Sequence, residues 1–201
     1  MSGHILYSFR RCPYAMRARM ALYLAGTEYE HREVSLRDKP EAMLEASPKG
    51  SVPVFMTSNE EVIDQSLDIL RWAIPDAALK MEFVAQIDGP FKHHLDRYKY
   101  ASRYDETAKR GDVDLGHRAE AVEILQPFER TLEIQTFLSG ADMGPTDIAT
   151  FPFIRQFAAV EPDWWSNESG LPKMRDWLKN CITSDLFKAI MEKYPLWSPP
   201  E

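Results

Sequence analysis

The stretch YSFRRCPYAMRARMAL, residues 7–22, decides how the first part of the chain folds. It joins an apolar and aromatic run, HILYSF at 4–9, to a segment whose apolar residues recur at helical spacing. Pro13 suits the first position of a helix, and Gly26 suits the position just after its end. The stretch therefore predicts a strand, then a helix that begins at Pro13, with Cys12 directly before it.

The composition of the whole chain is typical of a globular protein. Of its 201 residues, 44% are hydrophobic and 27% are charged, which allows one large domain or two small ones. The formal net charge of −7 argues against nucleic acid or an anionic membrane as the main partner, because both need a basic surface. No stretch approaches the ~20 apolar residues of a membrane span, and the N-terminus lacks a signal-peptide pattern.

The two cysteines, Cys12 and Cys181, are far apart in the sequence. A secreted disulfide framework normally has more cysteines than this. We therefore expect a cytoplasmic protein with reduced thiols.

Strand and helix patterns alternate through the N-terminal part of the chain. After the first strand and helix come a strand in 27–36, a helix in 39–47, a hairpin in 50–63 and a helix in 64–73. The predicted order is β-α-β-α-β-β-α. This indicates an α/β domain over residues 1–73, followed by a linker at 74–78.

Only helical patterns follow the linker. They cover residues 77–104, 116–135, 145–159, 171–182 and 185–193. Pro90 is expected to kink or split the first of them, and residues 104–114 read as a polar loop. The tail YPLWSPPE, 194–201, is not compatible with a helix. The predicted fold class is thus α/β plus all-α, with a helical bundle over residues 79–201.

Cys12 lies where a helix begins, and this position favours a reactive thiol. The unpaired N–H groups of the first turn, together with Arg10 and Arg11, are expected to lower its pKa. The usual alternative for a lone cysteine is a small buried packing residue, which is what we expect of Cys181 inside a helix. Ala15 stands where a dithiol redox motif has its second cysteine. A mixed disulfide on Cys12 must then be resolved by an external thiol, and glutathione is the abundant one in the cytosol.

Three further features suit an extended, peptide-like ligand with carboxylates. Pro53 stands at the entrance of a strand, and a cis bond there would leave the backbone of Val52 open to pairing. Gln65 and Ser66 begin a helix, whose N-terminus and hydroxyl suit a carboxylate, and Lys39 suits a second one. Each feature has an ordinary alternative: an edge-strand proline, an N-cap and a solvated lysine.

The order and spacing of these short motifs resemble those of the cytosolic glutathione transferases. CPYA at 12–15, KPE at 39–41, VP at 52–53 and QS at 65–66 are most similar to the omega-type, cysteine-containing branch. The N-terminal half resembles the family's thioredoxin-like domain, and the helical half resembles its C-terminal domain. There GPTDIATFPFI, 144–154, is similar to the family's folding motif, with Asp147 as its acidic member.

The resemblance implies a role for each matching residue. Cys12 is the implied catalytic nucleophile, and Lys39 is implied to hold the glycine carboxylate of glutathione. Val52 would pair with the cysteinyl backbone beside a cis-Pro53. Gln65 and Ser66 would bind the γ-glutamyl end.

Two positions depart from the family pattern. Omega members commonly have Glu-Ser where this chain has Gln65-Ser66, so the contact for the glutathione amine would fall to Asp64 or to a partner subunit. Gly144 replaces the hydroxyl that often caps the Asp147 helix.

A cysteine in the nucleophile position implies thiol transfer rather than conjugation. We therefore expect a glutathione-dependent thiol transferase or reductase that acts through a mixed disulfide. Its implied partners are glutathione as co-substrate, a small disulfide or electrophile, and a second copy of the chain in a homodimer; no metal is expected. Two alternatives stay open: a conjugating transferase that uses the hydroxyl of Tyr7 or Ser8, and a non-catalytic binding protein of the same fold.

The pocket for the second substrate is expected between the domains. Its candidate wall consists of aromatic residues, each of which is more often a core residue than a pocket residue. They are Phe9, Tyr14, Tyr98, Phe157 and Trp164.

Overall fold

The computed structural model of the protein describes residues 3–199, which form two compact units. The first unit runs as far as Ala77 and takes up the chain again from Thr183. The second unit is Ala78–Ile182. The predicted fold class, α/β followed by all-α, is confirmed. The predicted helical domain was residues 79–201, whereas the structure groups residues 183–199 with the first unit.

The first unit is built on a four-stranded mixed sheet. Its strands are β1 (His4–Ser8), β2 (Tyr29–Glu33), β3 (Val54–Met56) and β4 (Val62–Ile63), in the spatial order β2-β1-β3-β4. β1 pairs parallel with β2 and antiparallel with β3, and β3 pairs antiparallel with β4. The helices between the strands are α1 (Pro13–Leu24), α2 (Glu41–Ala46) and α3 (Ser66–Ala73).

Both faces of the central strand are buried, and alternation along the strand explains how. Successive side chains of a strand point to opposite faces, so Leu6 and Tyr7 enter different hydrophobic clusters. Leu6 packs with Phe55 and with residues of α1 and α3. Tyr7 packs with Val54 and Ala15 on the other side. The apolar run HILYSF therefore lies at the centre of this unit.

Helix α1 begins and ends as its sequence predicts. Cys12 is the N-cap in an extended conformation, and Pro13 occupies the first helical position. At the other end Gly26 adopts a left-handed conformation, with φ of 64°. The amides of Gly26 and Thr27 donate to the carbonyls of Tyr23 and Leu22, both at about 3 Å. This hydrogen-bond pattern is the Schellman motif, which satisfies carbonyls at the helix end.

The second unit is helical throughout its regular structure. Its helices are α4 (Met81–Gln86), α5 (Lys92–Lys99), α6 (Leu115–Leu132), α7 (Pro145–Ala158), α8 (Pro162–Asn167) and α9 (Pro172–Thr183). Pro90 splits the first helical pattern, as predicted. It lies in a π-helical turn, Ile87–Phe91, which accommodates the missing amide between α4 and α5.

Helix α8 was not predicted from the sequence. It is only six residues long, and its PDWWSN sequence contains tryptophan, serine and asparagine, which are mediocre helix formers. Tertiary packing stabilises this helix instead, because Trp165 is buried against the ring of Phe157.

The last helix and the tail belong to the first unit. Helix α10 (Asp185–Ile190) is followed by an extended segment in which Leu196 forms a β-bridge with Glu33 on the edge strand β2. The amide of Trp197 donates to the carbonyl of Glu33 at 2.8 Å. The tail thus pairs with part of an edge strand that would otherwise expose hydrogen-bonding groups. Among the described residues, no helix is long and apolar enough to cross a membrane.

The start of α7 depends on Asp147, which is completely buried. Its carboxylate accepts four hydrogen bonds, from the amides of Leu138, Ser139 and Gly144 and from the indole of Trp177. A buried charge is tolerated only when it is satisfied in this way. Asp147 therefore joins the preceding loop and α9 to the first turn of α7.

Ser139 replaces the capping hydroxyl that Gly144 lacks. The Oγ atom of Ser139 accepts from the amide of Thr146 at 3.1 Å, a bond that an N-cap side chain normally provides. A Cβ atom at Gly144 would lie 2.8 Å from the Cβ of Ser139 and 2.9 Å from its Oγ. The glycine is therefore needed because a side chain from elsewhere fills its place.

This exchange predicts a pair of compensating substitutions. Gly144→Ser should destabilise the protein by about 1–3 kcal/mol, because its side chain collides with Ser139. Combining it with Ser139→Gly should restore stability to within about 1 kcal/mol of wild type, because the new serine caps the helix itself. Denaturant unfolding of the wild type, both single variants and the double variant measures this. Additive losses in the double variant would contradict the exchange.

Candidate functional site

Cys12 lies in the turn between β1 and α1, half-buried. Its amide donates to the carbonyl of Phe9 at 3.0 Å, and its carbonyl accepts the first helical hydrogen bond, from Met16, at 2.9 Å. The Sγ atom is 3.8 Å from the carbonyl oxygen of Val52. The thiol therefore stands at a helix N-terminus and beside the backbone that precedes β3.

A buried arginine holds this turn in place. Arg19 donates to the hydroxyl of Ser8 and to the carbonyls of Phe9 and Arg10, the last at 2.8 Å. Its Nε donates to the carbonyl of Ile190 in α10 at 3.1 Å. These hydrogen bonds satisfy a guanidinium group that has only 1% of its surface exposed.

The charge of Arg19 also acts on Cys12. Burial lowers the pKa of Arg19, and the nearby Tyr29, Glu33 and Cys12 oppose that shift. From the sequence, Arg10 and Arg11 were expected to add positive charge near Cys12, and this stays a prediction. The guanidinium of Arg11 lies 5.9 Å from the centre of the Phe9 ring.

A cleft of about 290 Å³ opens beside Val52. It brings together two of the predicted motifs, Val52-Pro53 and Gln65-Ser66, and the peptide bond before Pro53 is cis. The volume is close to the lower end of small-molecule sites, roughly 300–1,000 Å³. The lining residues are Tyr14, Lys49, Ser51, Val52, Pro53, Asp64, Gln65 and Ser66.

The hydroxyl of Ser66 is oriented by a second buried arginine. Ser66 is the first residue of α3, directly after the N-cap Gln65. Arg17 is 1% exposed, and its guanidinium donates to the Oγ of Ser66 at 3.2 Å. Because Arg17 can only donate, the hydroxyl must accept from it. The hydroxyl hydrogen of Ser66 is then directed to another acceptor, as binding of an anion requires.

The cleft carries charges of both signs. Lys49 donates to the carbonyl of Asp64 at 3.1 Å, and the Asp64 carboxylate accepts from the hydroxyl of Ser47 at 2.6 Å. Sequence reasoning missed Lys49, although its place in PKGS, directly before the VP motif, was a signal. Lys39 is exposed and does not line the cleft, but it reaches over Gly50. A Cβ atom built on Gly50 would lie 3.4 Å from the Nζ of Lys39.

The two rival hydroxyls are engaged elsewhere. Tyr7 is 1% exposed, and its hydroxyl accepts from Arg32 at 2.7 Å. Ser8 has no exposed surface, and its hydroxyl accepts from Arg19. Neither residue is among those that line the cleft beside Val52, and nor is Cys12, whose sulfur reaches only the Val52 carbonyl.

The predicted aromatic wall is divided by the structure. Tyr14 lines the cleft, and Phe9 is half-buried beside the cluster that contains Tyr7. Tyr98 and Phe157 have no exposed surface, because they pack against each other in the core of the second unit with ring centres 5.2 Å apart. For these two residues the structure differs from the prediction. Trp164 is half-buried beneath the guanidinium of Arg118, 4.1 Å from its ring centre.

Cys181 has the packing role expected of it. It is fully buried in α9. Burial raises the pKa of its thiol, and the carboxylate of Asp147 adds to the rise. A thiol with these properties is inert, so Cys12 is the reactive candidate of the two.

Comparison with known proteins matches both parts of the chain to one family. Residues 6–80 match the glutathione S-transferase N-terminal domain, and residues 91–185 match the glutathione S-transferase C-terminal domain. Glutathione S-transferase U19 from Arabidopsis thaliana is 30% identical over 185 residues, which cover 89% of this chain and 84% of that protein.

An omega-type protein is also among the relatives. Glutathione S-transferase omega-1 from Mus musculus is 26% identical, over 78% of this chain and 68% of that protein. A Tau-class glutathione S-transferase from mango, Mangifera indica, shares the fold. Its TM-score is 0.75 at 22% identity, covering 95% of this chain and 93% of that one. The relatives are mostly of the Tau class, so the matches do not single out the omega branch that the motifs suggested.

Proposed function

The chain belongs to the glutathione S-transferase family. We propose that it is a glutathione-dependent thiol transferase with Cys12 as its nucleophile. The observation that carries the proposal is the position of the Cys12 sulfur, 3.8 Å from the carbonyl of Val52. Val52 lines the cleft, so a peptide paired with its backbone would bring its own sulfur close to that of Cys12.

Glutathione fits the chemistry of this cleft. We assign its γ-glutamyl carboxylate to Ser66 and to the N-terminus of α3, where Gln65 is the N-cap. The carboxylate of Asp64, which lines the cleft, is available to pair with the amine of glutathione. At the other end, Lys39 and Lys49 provide positive charge for the glycine carboxylate.

The proposed reaction is a pair of thiol–disulfide exchanges. The Cys12 thiolate attacks the glutathione sulfur of a mixed disulfide, forms a Cys12–glutathione disulfide and releases the other thiolate, which takes a proton from water. The thiolate of a second glutathione then attacks the glutathione sulfur bound to Cys12. Oxidised glutathione leaves and the Cys12 thiolate is regenerated. Ala15, which is fully buried beside this site, has no thiol. The resolving thiol therefore comes from outside the chain.

Conjugation through a hydroxyl is the rival reaction in this family. It needs Tyr7 or Ser8 to donate to the glutathione thiolate. Both residues are almost completely buried, whereas Cys12 is only half-buried and its sulfur lies beside the carbonyl of Val52, which favours Cys12 instead. We further propose a cytoplasmic homodimer, since the resemblance to the cytosolic transferases implies both.

A side-by-side assay tests the reaction. Cys12→Ser should reduce the reduction of a glutathione mixed disulfide to background, because no sulfur remains to carry glutathione. Tyr7→Phe is the matched control, and it should leave this activity unchanged apart from effects of stability. Conjugation of an aryl halide is measured on the same three proteins.

Three outcomes are distinct. Disulfide reduction lost only with Cys12→Ser supports the proposal. Strong conjugation that survives Cys12→Ser and falls with Tyr7→Phe would contradict it in favour of the hydroxyl mechanism. Glutathione binding without turnover in either assay would indicate a non-catalytic member of the family.

The γ-glutamyl site gives a second prediction. Ser66→Ala should weaken glutathione binding roughly tenfold to a hundredfold, because the ligand carboxylate loses a charge-assisted hydrogen bond worth roughly 1.5–3 kcal/mol. Calorimetry measures the affinity. Ser169→Ala, which removes a buried hydroxyl in the second unit, is the control and should bind as wild type does.

Arg17→Gln should also weaken binding, although Arg17 is not expected to touch the ligand. In the Ser66→Ala background the same change should have little further effect, because the residue that Arg17 orients is already absent. Full additivity of the two losses would contradict the positioning role, and unchanged affinity in Ser66→Ala would place the ligand elsewhere.

A further inference from the structure

Three of the five histidines of the chain meet at one point on the second unit. His93 and His94 come from α5, and His117 comes from the first turn of α6. One ring nitrogen from each of them lies within 4.8 Å of the others. The Nδ1 atoms of His94 and His117 are 2.7 Å apart. None of the three histidines lines the cleft beside Val52.

Helix geometry makes this convergence specific. The side chains of adjacent helix residues point about 100° apart. A third side chain can therefore contact both His93 and His94 only if it lies between them. His117 does so, with ring centres 5.9 Å from His93 and 4.9 Å from His94. The side chain of Asp114 caps α6 by accepting from the amide of His117 at 3.0 Å, which holds that residue in the first turn.

From this geometry we propose that His93, His94 and His117 bind a divalent transition-metal ion of the zinc class, with a remaining position open to water. Three imidazoles plus one open position is an established ligand set for zinc. Imidazole also selects against magnesium and calcium, which prefer oxygen ligands. No metal was expected from the sequence, and the 23-residue separation of His94 and His117 is not a recognised zinc spacing.

The cluster needs only local movement to hold the ion. Zinc–nitrogen distances of about 2.0–2.1 Å place two tetrahedral ligand atoms roughly 3.4 Å apart. The His94–His117 pair must therefore open slightly, and His93, whose side chain is exposed, must move closer. The proton shared between the two Nδ1 atoms passes through water to the Nε2 of its own ring, so both lone pairs face the metal.

The positive charge of Arg97 opposes a cation at this site. Its guanidinium lies 3.0 Å from the Nδ1 of His93 and 4.4 Å from the centre of the Tyr104 ring. Metal binding requires His93 to leave that contact or to use its Nε2 atom. Removing the positive charge of Arg97 should therefore strengthen metal binding, whereas removing a ligand histidine should weaken it.

Calorimetric titration with zinc chloride tests the proposal on metal-free, full-length protein. The Cys12→Ser variant is titrated alongside wild type, because a thiolate is itself a zinc ligand. We expect one zinc ion per chain in both. In the Cys12→Ser background, His94→Ala and His117→Ala should each weaken binding at least tenfold, and Arg97→Gln should strengthen it. His4→Gln is the control, since His4 lies in the first unit, and it should change nothing.

Cobalt provides an independent readout of the ligand set. Cobalt(II) chloride should give the visible absorption of a tetrahedral site with Cys12→Ser protein and not with the His94→Ala/His117→Ala double variant in the same background. Circular dichroism verifies that each variant is folded. The proposal is overturned if folded Cys12→Ser protein binds no zinc, or if the double variant binds zinc as tightly as its parent.

Discussion

The buried guanidinium of Arg19 is the group on which the candidate site depends. It bonds to Ser8 at the end of β1, to the carbonyls of Phe9 and Arg10 in the turn, and to the carbonyl of Ile190 in α10. A buried charge is costly unless it is satisfied, and these acceptors satisfy it. The same hydrogen bonds fix the residues that precede Cys12. The position of the thiol and the positive charge beside it therefore have one cause.

Helix α1 also positions residues in the rest of the cleft. Its N-terminus faces Cys12, its first turn contributes Tyr14 to the lining, and Arg17 orients the hydroxyl of Ser66 on α3. One rigid helix thus connects the proposed nucleophile to the proposed carboxylate site. A shift of α1 along its axis would disturb both together, since both buried arginines belong to this helix.

Much of the fold was predictable because its signals are local. The apolar run of β1, the Cys12-Pro13 start of α1, its Gly26 end and the split at Pro90 each follow from a few adjacent residues. The motifs VP and QS line one cleft, and the family resemblance had assigned both to one ligand.

The remainder depends on contacts between residues distant in sequence. The burial of Arg17 and Arg19 was not predicted, since arginine is almost never fully buried unless it is paired, and their partners are not visible in the sequence. The capping of α7 by Ser139, the bridge between the tail and Glu33, and the meeting of His93 with His117 have the same origin. Tertiary packing created each of them.

The reaction of the folded protein with oxidised glutathione tests whether Cys12 is the reactive thiol. Intact mass followed by peptide mapping identifies which sulfur reacts. We expect one glutathione per chain, bound through a disulfide to Cys12 and removed by added reduced glutathione, with the buried Cys181 unmodified. If the folded protein takes up no glutathione, or takes it up on Cys181, then Cys12 is a packing residue and the proposed reaction is wrong.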